Sequence, residues 1–170
     1  GAMSVNANET HHLHGALRFL RPDGSYDRVD GATYTIWLDA PGVDIPVASG
    51  ISDGVGRYDE TVVIPSVLGT SFYMVFVTDN GWVHVLNNTD DDDPFKLVTS
   101  HWNGVTGGGD KQQSFLVSND ASARPCHILT TITRAFRYVL DHTSYTYPDD
   151  IDDVAARIRE ITGGEGVHHV

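Results

Sequence analysis

The sequence predicts a mainly β protein: a sandwich of seven to eight strands over residues 11–118, followed by two C-terminal helices over residues 119–163. Two observations carry this. From His11 to Ser118 the apolar residues recur with a period of two and are punctuated by turn residues, the pattern of short strands packed on one face. From Ile128 onward the period changes to 3.6, the pattern of an amphipathic helix.

Leu13, Leu17 and Phe19 alternate with His14, Ala16 and Arg18, and Arg21-Pro22-Asp23-Gly24 then reads as a turn. Tyr34, Ile36 and Leu38 alternate with Thr33, Thr35 and Trp37 until Ala40-Pro41-Gly42 ends the run. A third strand runs from Tyr58 to Ile64. Phe72 to Val77 is apolar on both faces, which predicts a central strand. Asp79-Asn80-Gly81 follows as a hairpin turn into Trp82–Leu86, because Asn-Gly accepts positive φ at low cost. Phe95–Val98 and Ser114–Val117 complete the set, and the glycines from Gly107 to Gly109 read as a mobile hairpin tip.

Ile128, Leu129, Ile132, Ala135, Phe136, Val139 and Leu140 form one apolar stripe, with Asp120 or Ser122 as cap and Pro125 in the first turn. A second helix begins after Pro148, its first turn rich in Asp, with Ile151, Val154, Ile158 and Ile161 on one face. Residues 1–10 and 164–170 are expected to be flexible tails, and Gly1-Ala2-Met3 has the form of a tag-cleavage remnant.

Composition narrows the function. The chain has 170 residues and a formal net charge of −12, which disfavours unaided binding to nucleic acid or to an anionic membrane. Nineteen of the 23 acids are Asp, a turn former, so much of the charge belongs to loops. No run approaches the ~20 apolar residues of a membrane span. The single cysteine, Cys126, excludes an internal disulfide.

Asp30-Gly31-Ala32-Thr33-Tyr34-Thr35-Ile36-Trp37 and Ser49-Gly50-Ile51-Ser52-Asp53-Gly54-Val55-Gly56-Arg57-Tyr58 together carry a resemblance. In them a Gly-Ala pair enters a strand, and a Ser-Asp-x-x-Gly-x-Tyr element turns into the next. Over residues 13–64 this resembles the carboxypeptidase regulatory-like, or transthyretin-like, β-sandwich domains. More loosely, Asn87 to Asp90 and Ala123 to Val139 resemble the segment that joins such a sandwich to a zinc metalloprotease in secreted bacterial or archaeal proteins. The resemblance implies a non-catalytic accessory or adhesion-type binding module of a secreted or cell-surface protein. Its partners would be a neighbouring domain of the same polypeptide, a protein or a carbohydrate. Two alternatives stand beside it: an enzyme, either with a hydrolytic site formed by His127, His142 and nearby Asp residues or as the N-terminal portion of a zinc-dependent peptidase or hydrolase, and an assembly subunit that uses the helix pair.

No His-Glu-x-x-His motif occurs, so no zincin site is written in the chain. Gly50-x-Ser52-x-Gly54 has the spacing of a nucleophile elbow, but a strand rather than a helix follows it, so Ser52 reads as a turn residue. Three weaker candidates remain. His12 and His14 share one strand face and could share a transition metal, whereas His11 points to the other face. Asn88, Asp90, Asp91, Asp92 and Asp93 form an oxygen-rich loop of a kind that could hold calcium, although four adjacent like charges read first as a solvated loop, and no cofactor is otherwise expected. Trp102, with His101 and Asn103 beside it, is the expected ligand-contact residue.

Overall fold

The computed structural model describes residues 7–66, 71–88, 91–102 and 107–144. Among them are nine strands and one helix: β1 (Asn8–Leu20), β2 (Tyr26–Arg28), β3 (Thr33–Ala40), β4 (Val43–Ile51), β5 (Arg57–Pro65), β6 (Phe72–Val77), β7 (Lys96–Val98), β8 (Gly109–Gln112), β9 (Phe115–Val117) and α1 (Asp120–His142). The chain divides into two compact units, Gly1–Ala135 and Phe136–Val170. The second predicted helix and the C-terminal tail lie outside the described residues.

One sheet has the order β4-β3-β6-β7, with β3 antiparallel to both β4 and β6. Alternation decides its inner face: Tyr34, Ile36 and Leu38 of β3 and Phe72, Met74 and Phe76 of β6 are buried. As the two-faced apolar run predicted, β6 is central, paired with β3 on one side and β7 on the other.

The other sheet is organised by β1. The first part of this strand pairs antiparallel with β5 and parallel with β8; the last part pairs antiparallel with β2 and parallel with β9. Its inward residues Leu13, Leu17 and Phe19 are buried, as are Tyr58, Val62 and Ile64 of β5. Ser52 is fully buried just before the turn that the Gly56 amide closes on the Asp53 carbonyl: its Oγ donates to the Val29 carbonyl at 2.7 Å and accepts from the Ala32 amide at 2.9 Å.

Several expectations need correction. Strand β1 begins at Asn8, so residues 8–10 belong to the sheet rather than to a tail. The Asp79-Asn80-Gly81 turn forms, with Asn80 Oδ1 accepting from the Trp82 and Val83 amides, but Trp82–Leu86 makes only the isolated bridges Asp79–His84 and Leu86–Pro94. The glycine run leads into strand β8, which docks on β1. Asn119 caps α1 through its side-chain oxygen and the Ala121 amide at 2.9 Å. Pro125 stands in the second turn rather than the first, and its missing N–H forgoes a helical bond to the Ala121 carbonyl.

The rotation of α1 differs from the predicted stripe. Ala123, Cys126, Leu129, Thr130 and Thr133 are buried, while Ile128 and Ile132 are exposed. Polar contacts set this rotation: Thr130 Oγ1 accepts from the Asp30 amide at 3.1 Å, and Thr133 Oγ1 accepts from Asn80 Nδ2 at 2.8 Å. Burial pushes the Cys126 thiol up to about 12, which makes it an inert core residue.

Arg134 completes the anchor with a two-pronged bond to Asp27, Nη1 to Oδ2 at 2.9 Å and Nη2 to Oδ1 at 3.0 Å, and Arg21 also donates to Asp27. Partial burial opposes ionisation of Asp27, but these donors and the Arg28 amide outweigh it and hold the carboxyl well below the usual carboxylate range. A lowered folded-state pKa means that the stabilisation is complete above the unfolded value of ~4 and is lost as pH falls below it. Asp27→Asn is therefore expected to cost about 1–2 kcal/mol at neutral pH, with the gap between variant and parent closing below about pH 3 in denaturant melts.

Candidate functional site

The chemistry-bearing surface is built where β8 docks on β1. Histidines two apart on a strand present their rings on one face, and Asp110 of β8 stands in register with His12. His12 Nδ1 lies 2.6 Å from Asp110 Oδ1, and His14 Nε2 lies 2.7 Å from the same oxygen. The two rings stack with centroids 4.4 Å apart and planes 15° from parallel. On its other side His12 Nε2 meets Asp59 Oδ1 of β5 at 2.8 Å. The hydrogen bond to Asp59 raises the His12 pKa; desolvation pulls the other way and Asp110 adds to the rise. Desolvation is the largest influence on Asp110, but the His12 hydrogen bond and the His14 ring close by overcome it and hold this carboxyl below its ordinary value.

The approach of β8 to β1 depends on two glycines. Gly108 has φ +76°, and a Cβ there would stand 2.7 Å from the Thr10 carbonyl oxygen. After β8 the chain crosses Gly15, where a Cβ would come within 1.7 Å of the Gln113 carbonyl oxygen. The Gln113 amide donates to the His14 carbonyl at 2.9 Å, and the Tyr58 hydroxyl donates to the Gln113 carbonyl.

Beside the histidines lies a cleft of about 490 Å³ whose lining includes His14, Arg28, Arg57, Asp59, Gln112 and Ser114. His14 and Asp59 thus belong both to the histidine cluster and to the cleft wall. Asp53 also lines it but is committed to its turn, accepting from the Val55 amide at 3.0 Å and the Arg57 amide at 2.8 Å.

The other sequence candidates are placed as follows. Trp102 is 3% exposed, with its ring centroid 5.0 Å from that of Phe115 and 5.8 Å from that of Tyr58, so its indole is a core group rather than a surface contact. His101 is on the surface, 3.1 Å from Asp39 and beside Tyr73, whose bond to Asp44 pushes its hydroxyl up to about 12. Asn103 and Asp90 lie outside the described residues. Asn88, Asp91, Asp92 and Asp93 are exposed in the loop closed by the Leu86–Pro94 bridge. His11 is fully buried against Phe72, on the face opposite His12 and His14, as the alternation predicts. His127 packs on Phe19, and His142 Nδ1 lies 2.8 Å from the Tyr138 carbonyl. Among the described residues, the one group of three or more His, Cys, Asp or Glu side chains whose donor atoms converge is His12, His14 and Asp110.

Sequence reasoning missed Asp59 and Asp110. Only the pairing register brings them to the histidines.

No family model matches the chain, and no curated protein matches it. Among solved structures, it is similar over 65% of its length to a 9R-lipoxygenase from Cyanothece PCC8801, at 13% identity and a TM-score of 0.38. It is also similar over 65% of its length to an (S)-allantoin synthase, at 12% identity and a TM-score of 0.40. The match spans 16% of the lipoxygenase chain and 41% of the synthase chain. A third structure, of a proposed carbohydrate-binding protein from Pseudomonas aeruginosa, is matched over 65% of this chain and 89% of its own, at 12% identity and a TM-score of 0.37. Among the described residues, no helix is long and apolar enough to cross a membrane.

Proposed function

We propose that this chain is a non-catalytic binding module of a secreted or cell-surface protein, and that it takes a carbohydrate ligand in the cleft beside β1. The observation that carries the reading is the cleft lining. Arg28, Arg57, Asp59, Gln112 and Ser114 set donors and acceptors side by side on rigid strands and their ends. Planar guanidinium, carboxylate and amide groups hydrogen-bond in pairs, which suits vicinal hydroxyls. A ligand of many hydroxyls gains from such a lining, because each polar group it covers finds a partner. The module reading is also what the resemblance over residues 13–64 implies.

The test is saturable binding of the whole chain to a glycan panel, followed by calorimetry on the best ligand. Arg57→Ala and Gln112→Ala are each expected to weaken binding about tenfold or more, the loss of one or two ligand hydrogen bonds, with an unchanged melting temperature. Absence of saturable binding, or an affinity indifferent to both substitutions, would contradict the reading.

A further inference from the structure

We propose that His12, His14 and Asp110 form a binding site for a divalent transition-metal ion of the zinc type, with Asp59 orienting the first imidazole. One donor atom from each of the three residues lies within 4.8 Å of the others. Two imidazole nitrogens and one carboxylate oxygen are a ligand set that zinc accepts at ~2.0–2.2 Å, and ligand atoms on such a tetrahedral ion stand about 3.3 Å apart. Small side-chain rotations close that difference. The backbone needs no movement, because both histidines sit on one strand held by β5 and β8.

Asp59 supplies an independent argument. A metal-bound histidine commonly donates its second ring N–H to a carboxylate, which fixes the tautomer and the ring plane. His12 has this arrangement: with Nε2–H donated to Asp59 at 2.8 Å, the lone pair of the neutral ring is on Nδ1, the nitrogen that faces Asp110 and His14. His14 Nε2 lies 2.7 Å from the same carboxylate oxygen but is a buried nitrogen without a well-aligned hydrogen bond, so two ring nitrogens crowd one oxygen and one of them is left unsatisfied. A cation among the three donors replaces that crowded arrangement with three direct bonds. Three protein ligands leave a fourth position for water or for an incoming ligand. The metal site does not depend on the cleft binding carbohydrate, and its test uses zinc alone.

The chain is stripped with a chelator, dialysed and titrated with Zn²⁺ by calorimetry. We expect one high-affinity zinc per chain. Asp110→Ala and His14→Ala should each weaken it at least tenfold, and Asp59→Ala about tenfold, in line with the 10–100-fold effect of orienting groups. The His168→Ala, His169→Ala double variant should bind as the parent does. Imidazole ¹H–¹⁵N spectra of the unsubstituted chain give a readout free of any folding defect: zinc should shift the His12 and His14 rings and hold His12 protonated at Nε2. Unmoved His12 and His14 resonances at saturating zinc would overturn the proposal. So would a zinc affinity that survives Asp110→Ala and disappears with His168 and His169.

Discussion

Trp102→Ala is expected to lower the free energy of unfolding by about 3–5 kcal/mol, the range for removing a large buried aromatic. The indole is 3% exposed and meets Tyr58 of β5 edge-on at 5.8 Å and Phe115 of β9 edge-on at 5.0 Å. Tyr58 and Phe115 also stack on each other with centroids 6.3 Å apart, so the three rings form one cluster under the junction of β1, β5 and β9. Its loss leaves a cavity that rigid strands cannot collapse around. Trp102→Phe retains an aromatic and should recover part of the loss. Equilibrium denaturation by urea, followed by circular dichroism, measures both. A change within about 0.5 kcal/mol is what a surface contact residue would give and would contradict the core placement.

The second large effect is expected at Gly15. A Cβ there would lie 1.7 Å from the Gln113 carbonyl oxygen, 2.6 Å from its carbon and 2.9 Å from the Tyr58 hydroxyl. The obstacle is backbone, so it cannot rotate aside. Gly15→Ala must push the segment between β8 and β9 off β1, and we expect a loss of about 3 kcal/mol or more. Because β8 carries Asp110 and Gln112, the same substitution should separate Asp110 from the two histidines and deform the cleft. Gly24→Ala is the control, since a Cβ there meets nothing within 4 Å, although its φ of +85° leaves a small backbone penalty of about 1 kcal/mol. Thermal melts of the two variants side by side would separate steric exclusion from the general cost of replacing a glycine. Equal losses would speak against the tight crossing at Gly15.

These two positions show why parts of the fold were legible in the sequence and parts were not. Strands β3 and β6 were readable because one face of each is buried, which writes a period of two into Tyr34, Ile36, Leu38 and Phe72, Met74, Phe76. Strand β4 went unread although Val43, Ile45, Val47 and Ile51 stand at alternate positions, because Pro46 and Gly50 interrupt the run and read as strand breakers. Strand β8, Gly109–Gln112, has no apolar residue at all and exists through its parallel pairing with β1. The existence of α1 was legible from its apolar stripe, but its rotation was not. Ile128 and Ile132 yield the inner face to Thr130 and Thr133 because those hydroxyls meet the Asp30 amide and the Asn80 side chain, partners distant in sequence.

The candidate site divides along the same line. His12 and His14 could be placed on one face from spacing alone, whereas Asp59 and Asp110 reach them through pairings of 47 and 98 residues' separation that no local pattern encodes. The glycines before β8 were the available signal, and they read equally well as a loop tip. Trp102 misled for a related reason: polar and glycine neighbours surround it in sequence, yet it anchors a three-ring cluster in space.

The docking of β8 on β1 underlies the whole account, since it creates the His12–His14–Asp110 cluster and one wall of the cleft. Inter-strand nuclear Overhauser effects in the isotope-labelled chain test it most directly. The account predicts backbone contacts linking His11, His12, Leu13 and His14 to Gly109, Asp110, Lys111 and Gln112 in parallel register, together with slowed amide exchange along β8. Absence of these contacts, with amides of residues 109–112 exchanging at the rate of an open loop, would contradict it.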